Sequence, residues 1–195
     1  MNKLLLLVGV LALIFGGISF LSMPKNTGFA SLNETEGIHL HADFAVFINN
    51  QQVDFAKPEF MTDESQKLSG KTHLHDLNGK IVHVHASNVI LGMFFESIGM
   101  KFDSTCIKLS NGSQFCSKQG KSLKFFVNGI ENSDFGNYEI KDLDQIVISY
   151  GSQSLEEIQS QLDTVSDEAC IYSETCPERD PAPDESTCVG DECYV

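Results

Sequence analysis

Apolar and polar residues alternate most regularly between residues 39 and 48. Every second position is apolar there, and these positions are Leu40, Ala42, Phe44, Val46 and Ile48. Because side chains two residues apart on a strand point to the same face, the pattern predicts a β-strand with one buried face. The opposite face of this strand then carries His39, His41 and Asp43.

Residues 73–85 show the same alternation on both sides of a turn sequence. A three-residue loop over 77–79, with Gly79 in the left-handed conformation, sets His73 opposite His83. This register directs the intervening apolar side chains toward the core, whereas a shift by one residue would expose them. The sequence therefore predicts a hairpin that carries histidines on one face.

The remaining pattern predicts two helices and further strands. One helix is expected over 89–98 with Asn88 as its N-cap, and another begins at Ser154 with a Ser-x-x-Glu capping box. Alternating segments at 124–127 and 146–150 complete the predicted sheet. We therefore expect an α+β fold, with a mixed or antiparallel sheet crossed by one short helix.

The two ends of the chain differ from this central part. An uncharged run from Leu4 to Met23 is long enough to cross a bilayer as a helix, so it predicts a transmembrane anchor or a signal peptide. Because Lys3 marks the cytoplasmic side, the rest is expected to face the periplasm or the extracellular side. The predicted segments are the anchor or signal (1–25), a linker (26–36), a histidine-rich domain (37–151), and a helix with an acidic, cysteine-rich tail (152–195).

The formal net charge is −14, and most of it lies near the C-terminus. Residues 154–195 contain twelve acidic residues and one basic residue, Arg179. Nucleic-acid binding depends on Lys and Arg that neutralise phosphates, and the chain has no basic stripe, so we expect no nucleic-acid partner. The acidic tail is more typical of a solvated surface than of a calcium site. Nothing in the sequence identifies a protein partner.

The six cysteines occur in three closely spaced pairs, namely Cys106 and Cys116, Cys170 and Cys176, and Cys188 and Cys193. The loop at 110–112 sets Cys106 opposite Cys116 in a hairpin, at a separation that a disulfide spans. None of the spacings is the Cys-x-x-Cys of redox-active sites, which favours structural disulfides outside the cytoplasm. The connectivity of the four cysteines in the tail is left open by their spacing, and thiol-disulfide exchange remains an alternative function.

All six histidines fall in His-x-His pairs, at His39, His41, His73, His75, His83 and His85. Each pair places two imidazoles on one face of a strand, and we expect these faces to be exposed. Neutral imidazole is a ligand of zinc and copper, so the pairs predict a transition-metal site, with Asp43 and Asp76 orienting the rings. Metal capture or handling is the favoured function. A metal-dependent enzyme with a three-histidine site and a surface interaction module without metal are the alternatives.

Two resemblances add to this interpretation. The order of elements over 82–151, with Phe-Phe-Val-Asn-Gly at 125–129, resembles the closing half of β-grasp domains of the sulfur-carrier and soluble-ligand-binding kind. That resemblance implies a sheet with one helix across it. From His39 through the Cys-x5-Cys segment at 170–176, the chain also resembles a family of uncharacterised membrane-anchored prokaryotic proteins. Some members of that family are labelled protein-disulfide isomerase, which implies thiol chemistry.

Overall fold

A computed structural model describes residues 37–63, 66, 68–182, 188–189 and 192–193. Every described residue belongs to a single compact unit. The expected anchor at 4–23 and the expected linker therefore lie outside the described residues. Among the helices that are described, none has the length and apolar character needed to span a membrane.

The described elements are short, apart from the strands at the centre of the sheet. The strands are β1 (Leu40–Ile48), β2 (Gln51–Gln52), β3 (Thr72–His73), β4 (Ile81–Val84), β5 (Lys101–Phe102), β6 (Cys106–Lys108), β7 (Gln114–Cys116), β8 (Ser122–Val127), β9 (Ile130–Glu131), β10 (Gln145–Gly151), β11 (Cys188–Val189) and β12 (Glu192–Cys193). The α-helices are α1 (Leu91–Ser97), α2 (Leu155–Leu162) and α3 (Ala169–Tyr172). Two 3-10 turns lie at Pro58–Phe60 and Phe135–Asn137.

The main sheet is mixed, which confirms the α+β class. Its strand order is β3-β4-β1-β10-β8-β9, and β2 pairs with one end of β1. β1 and β10 are parallel neighbours at the centre, whereas the other pairs in this sheet are antiparallel. β5, β6 and β7 form a second, antiparallel sheet, and β11 pairs with β12.

One face of the main sheet carries the larger hydrophobic core. The apolar side chains predicted for β1 lie here, and they pack with aromatic rings from α1 and from neighbouring segments, namely Phe55, Phe94, Phe95, Phe102 and Phe125. α1 begins at Leu91, two residues later than expected, because Asn88 has a left-handed φ of 58° and does not cap the helix. The Leu91 amide instead donates to the Tyr138 carbonyl, and the chain leaves the helix at Gly99, as predicted.

The opposite face of the sheet is covered by the C-terminal helices. The capping box of α2 is present, because Ser154 accepts from the Glu157 amide while the Glu157 carboxylate accepts from the Ser154 amide. Ile158 of α2 then packs on a smaller apolar cluster that includes Phe47 and Val147. α3 lies against β1 farther along the same face. The expectation that the histidine-bearing face is exposed is therefore wrong, since part of the tail folds over it.

The hairpin from β3 to β4 has the predicted register but a different turn. His73 lies opposite His83, as expected. The left-handed residues, however, are Asp76 and Leu77, with φ values of 55° and 56°, and Gly79 is not left-handed. Gly79 instead allows the backbone of Phe55 and Ala56 to pass close to it, since a Cβ at this position would collide with that backbone.

The second hairpin agrees with its prediction in both register and covalent chemistry. β6 and β7 place Cys106 opposite Cys116, and the two cysteines form a disulfide with Cα atoms 4.0 Å apart. Gly112 has a φ of 87° and supplies the left-handed position of the turn. The positive φ permits the tight loop that fixes this register.

Candidate metal site

The strand register brings all three histidine pairs to one end of the main sheet. His41 of β1 lies opposite His83 of β4, and His83 lies opposite His73 of β3. The three strands are adjacent, so their His-x-His pairs project from the same face. The three His-x-His pairs therefore form one cluster of six imidazoles rather than three separate two-histidine sites.

Ring contacts connect every member of this cluster. His83 is central, with ring centroids 3.9 Å from His75 and 4.8 Å from His41. His85 lies between His39 and His73, at centroid distances of 4.6 and 4.9 Å. We call this set the histidine cluster; its members are His39, His41, His73, His75, His83 and His85.

Five of the six imidazoles are buried, and His39 alone is exposed. His73 and His83 have no solvent-accessible surface, and His41 retains 1% of it. Burying a polar ring costs free energy unless hydrogen bonds or a ligand compensate it. The contacts that surround these rings are therefore informative about what the cluster does.

Three histidines form a group with the spacing of metal ligands. One ligand nitrogen from each of His39, His41 and His83 lies within 4.8 Å of the other two. The Nε2 atoms of His39 and His41 are 3.1 Å apart. Two nitrogens bound to the same tetrahedral zinc, at 2.0 to 2.1 Å each, are about 3.3 Å apart, so this separation matches one edge of such a site.

Outer hydrogen bonds orient His41 within the group. Its Nδ1 lies 2.8 Å from Ser173 Oγ, and the Ser173 hydroxyl donates to Asp142 Oδ1 at 2.6 Å. Since the single hydroxyl proton is directed to the carboxylate, Ser173 accepts from an Nδ1–H of His41. Nε2 of His41 then lacks a proton, and it lies 3.1 Å from Nε2 of His39.

The same arrangement recurs at two other members of the cluster. His73 Nδ1 is 2.9 Å from the Ser69 carbonyl oxygen, which only accepts, so this nitrogen carries the proton. His75 Nδ1 is 2.8 Å from Asp76 Oδ2, and its Nε2 is 3.2 Å from His83 Nδ1. Hydrogen-bond acceptors outside the cluster thus orient the Nδ1–H groups, and the Nε2 atoms point into the cluster. Metal-bound histidines are oriented in the same way, by an acceptor that binds the ring nitrogen opposite the metal.

The two aspartates named from the sequence lie in different environments. Asp76 contacts an imidazole, as described above. Asp43 instead accepts hydrogen bonds from the amides of Glu168 and Ala169, at 2.8 and 3.0 Å, where α3 begins. Burial raises the pKa of the Asp43 carboxyl, and these two amide hydrogen bonds act in the opposite direction. The structure therefore brings Asp43 to the segment that covers the cluster rather than to an imidazole.

Residues 167–176, which we call the strap, contribute to the site from far along the chain. The Tyr172 ring lies 5.3 Å from His83 and 5.6 Å from His41, and its hydroxyl accepts a hydrogen bond from Asn78. A disulfide joins Cys170 to Cys176 within the strap. Sequence reasoning missed Tyr172 and Ser173 because no periodic pattern links them to β1.

The last cysteine pair lies outside the part of the chain whose side chains are described. The backbone register of β11 and β12 sets Cys188 opposite Cys193. Their pairing stays a prediction.

Comparisons with known protein families, with curated proteins and with solved structures found no match for this chain. The interpretation of the site therefore rests on its own geometry.

Proposed function

We propose that this protein binds a transition metal, zinc or copper, through His39, His41 and His83, and that it acts in metal capture or handling. The observation that carries the proposal is the grouping of three imidazole nitrogens within 4.8 Å. The group contains only nitrogen donors, which suit zinc and copper, whereas calcium and magnesium require oxygen ligands.

The surrounding hydrogen bonds support the same proposal. Ser173, Ser69 and Asp76 each contact an Nδ1 atom, which leaves the opposite nitrogen of the ring for the interior of the cluster. A site that already holds its imidazoles in fixed orientations loses little entropy when the metal binds. The remaining three histidines offer a fourth ligand, or places to which an ion passes during handling.

Elemental analysis of untagged protein tests the proposal directly. We expect about one zinc or copper ion for each chain, with tight binding by titration. The double variant His41→Gln/His83→Gln should lose this binding, because it removes two of the three nitrogens. Ser149→Ala is a matched control, since Ser149 is also fully buried in the main sheet but lies outside the cluster. Metal-free wild-type protein that takes up no ion, or a double variant that retains full stoichiometry, would reject the proposal.

We also propose a place for the domain in the cell and a finer fold class. An anchor or signal at 4–23 would deliver the domain to an oxidising compartment, and the disulfides at Cys106–Cys116 and Cys170–Cys176 support that location. The order β4-β1-β10-β8, with parallel central strands and α1 between β4 and β8 in the chain, supports a β-grasp-like arrangement. Labelling of cysteines in intact cells would test the location, because thiols reduced in the cytoplasm would contradict it.

A further inference from the structure

We propose that the redox state of the Cys170–Cys176 disulfide controls how long a metal ion stays in the histidine cluster. The strap that this disulfide closes would hold His41 in position and cover His83 while the disulfide is intact. Reduction would release the strap and speed metal loss. The inference rests on the proposed metal-binding function, and it adds a means of regulation to the same site.

The strap reaches the cluster through several specific contacts. Its first turn is fixed by Asp43, whose carboxylate accepts from the Glu168 and Ala169 amides. Its last turn supplies Ser173, which bridges His41 Nδ1 and Asp142. Asp142 Oδ1 also accepts from the His41 backbone amide at 3.0 Å, so the position of His41 and that of the strap depend on each other.

Apolar packing contributes little to holding the strap in place. Its helical part, α3, has only four residues, and a helix of that length is not stable by itself. Within residues 167–176, Ala169 is the single buried side chain. The surface ion pair between Lys80 and Glu168 adds little, because exposed ion pairs are weak. The disulfide is therefore the covalent constraint that keeps the strap in one conformation.

The disulfide is accessible enough for exchange, since Cys170 and Cys176 are both partly exposed. A dithiol reductant would act in two steps. Its thiolate attacks one sulfur and breaks the Cys170–Cys176 bond, which forms a mixed disulfide and releases the other cysteine as a thiol after protonation. The second thiol of the reductant then displaces the remaining cysteine. Two electrons and two protons pass to the protein, and the reductant leaves as a disulfide.

Release of the strap has two consequences for a bound ion. Ser173 no longer fixes the Nδ1–H of His41, so the ring can rotate and its Nε2 is no longer directed into the site. Tyr172 also leaves the rings of His83 and His41, which admits water to the buried nitrogens. Loss of such outer contacts typically weakens metal sites by about 10–100-fold.

The test compares the two disulfides of the described domain in the full-length, untagged chain loaded with zinc. Zinc transfer to a chromophoric chelator gives the dissociation rate. We expect Cys170→Ser/Cys176→Ser to release zinc about 10–100-fold faster than wild type. The matched control, Cys106→Ser/Cys116→Ser, removes a disulfide of the second sheet and should change the rate by less than about threefold. Ser173→Ala keeps both disulfides and should also accelerate release, whereas Ser173→Thr retains the hydroxyl and should restore the slow rate.

A second measurement does not depend on metal. Amide hydrogen exchange of metal-free protein should show faster exchange at Glu168 and Ala169 in the Cys170→Ser/Cys176→Ser variant, and unchanged exchange there in the control. Equal zinc release from both double variants, or a strap whose protection survives loss of its disulfide, would overturn the inference. A wild-type protein that binds neither zinc nor copper would instead reject the proposed function itself, which keeps the two failures distinct.

Discussion

The two faces of the main sheet bury different chemistry. On one face, α1 packs on a core of phenylalanine rings, among them Phe94 and Phe125, that requires no polar contact. On the other face, α2 covers a small apolar cluster, while the strap covers buried imidazoles that need hydrogen-bond partners or a ligand. The first face is thus explained mainly by the hydrophobic effect. The second face retains polar groups at a cost in stability, which is the reason to assign the function to it.

The largest expected effect is the loss of stability when a ring is removed from the larger core. Phe94→Ala removes a fully buried ring from the larger core, and the free energy of unfolding should fall by about 3–5 kcal/mol. Leu155→Ala on α2 is the control, because Leu155 is an apolar side chain that is 89% exposed, and the change should stay within about 0.5 kcal/mol. Urea unfolding measures both values. Similar losses in the two variants would show that burial of the Phe94 ring is not a main source of stability.

Removal of the Cys106–Cys116 disulfide should lower the stability of the protein without affecting metal binding. Cys106→Ser/Cys116→Ser frees the unfolded chain from one covalent constraint, so the free energy of unfolding should fall by about 2–4 kcal/mol. Zinc stoichiometry should stay at the wild-type value, because neither cysteine lies near the histidine cluster in the strand order. Thermal unfolding with parallel elemental analysis checks both outcomes. Loss of the metal along with the stability would contradict the division into two faces.

Zinc should stabilise the protein only through the histidine-bearing face. At a free concentration 100 times its Kd, a ligand that binds only the folded state adds about 2.7 kcal/mol to the free energy of unfolding. We expect this gain in wild type and its loss after addition of a chelator. The His41→Gln/His83→Gln variant should show no gain, although its metal-free stability is also lowered because both positions are buried. A gain of equal size in that variant would place the ion elsewhere.

The smallest expected effect concerns Asp103, on the loop before β6. A hydrogen bond from the Thr105 hydroxyl, aided by the Thr105 and Cys106 amides, lowers the pKa of the Asp103 carboxyl. A carboxyl with a lowered folded-state pKa stabilises the protein above its unfolded value of about 3.9, and this contribution is lost as pH falls through the lower folded value. Asp103→Asn should therefore flatten the acid limb of the stability curve slightly. An unchanged acid limb would show that this loop does not respond to pH.

The sequence predicted those features that depend on neighbouring residues. Alternation along β1 identified its buried face, and the loops at 77–79 and 110–112 gave the correct registers for His73 opposite His83 and Cys106 opposite Cys116. Register follows from local pattern because a shift by one residue moves every side chain to the wrong face. The predicted left-handed conformation of Gly79 was wrong. Gly79 instead lies close to the backbone of Ala56, and the local sequence around Gly79 does not indicate that contact.

The covering of the histidines could not be predicted in the same way. Asp43 was expected to orient an imidazole, but in the structure it accepts from amides 125 and 126 residues away. The strap has no helical stripe long enough to recognise, and its Ser and Tyr residues are common in loops. Contacts between the strap and β1 depend on how distant segments pack together, and the local pattern of apolar and polar residues does not predict that packing. The metal itself and its identity stay predictions.

The parallel pairing of β1 with β10 has a consequence for when the site can exist. β1 is the first described strand, yet its central partner lies about a hundred residues later, with Asp43 beside Gln145, and His41 meets Ser173 across a separation of 132 residues. Contacts between such distant positions form slowly and late in folding. During synthesis, which proceeds from the N-terminus, all six histidines are made long before the residues that orient them, such as Ser173. The metal site is therefore assembled only after the chain has been made at least as far as Ser173.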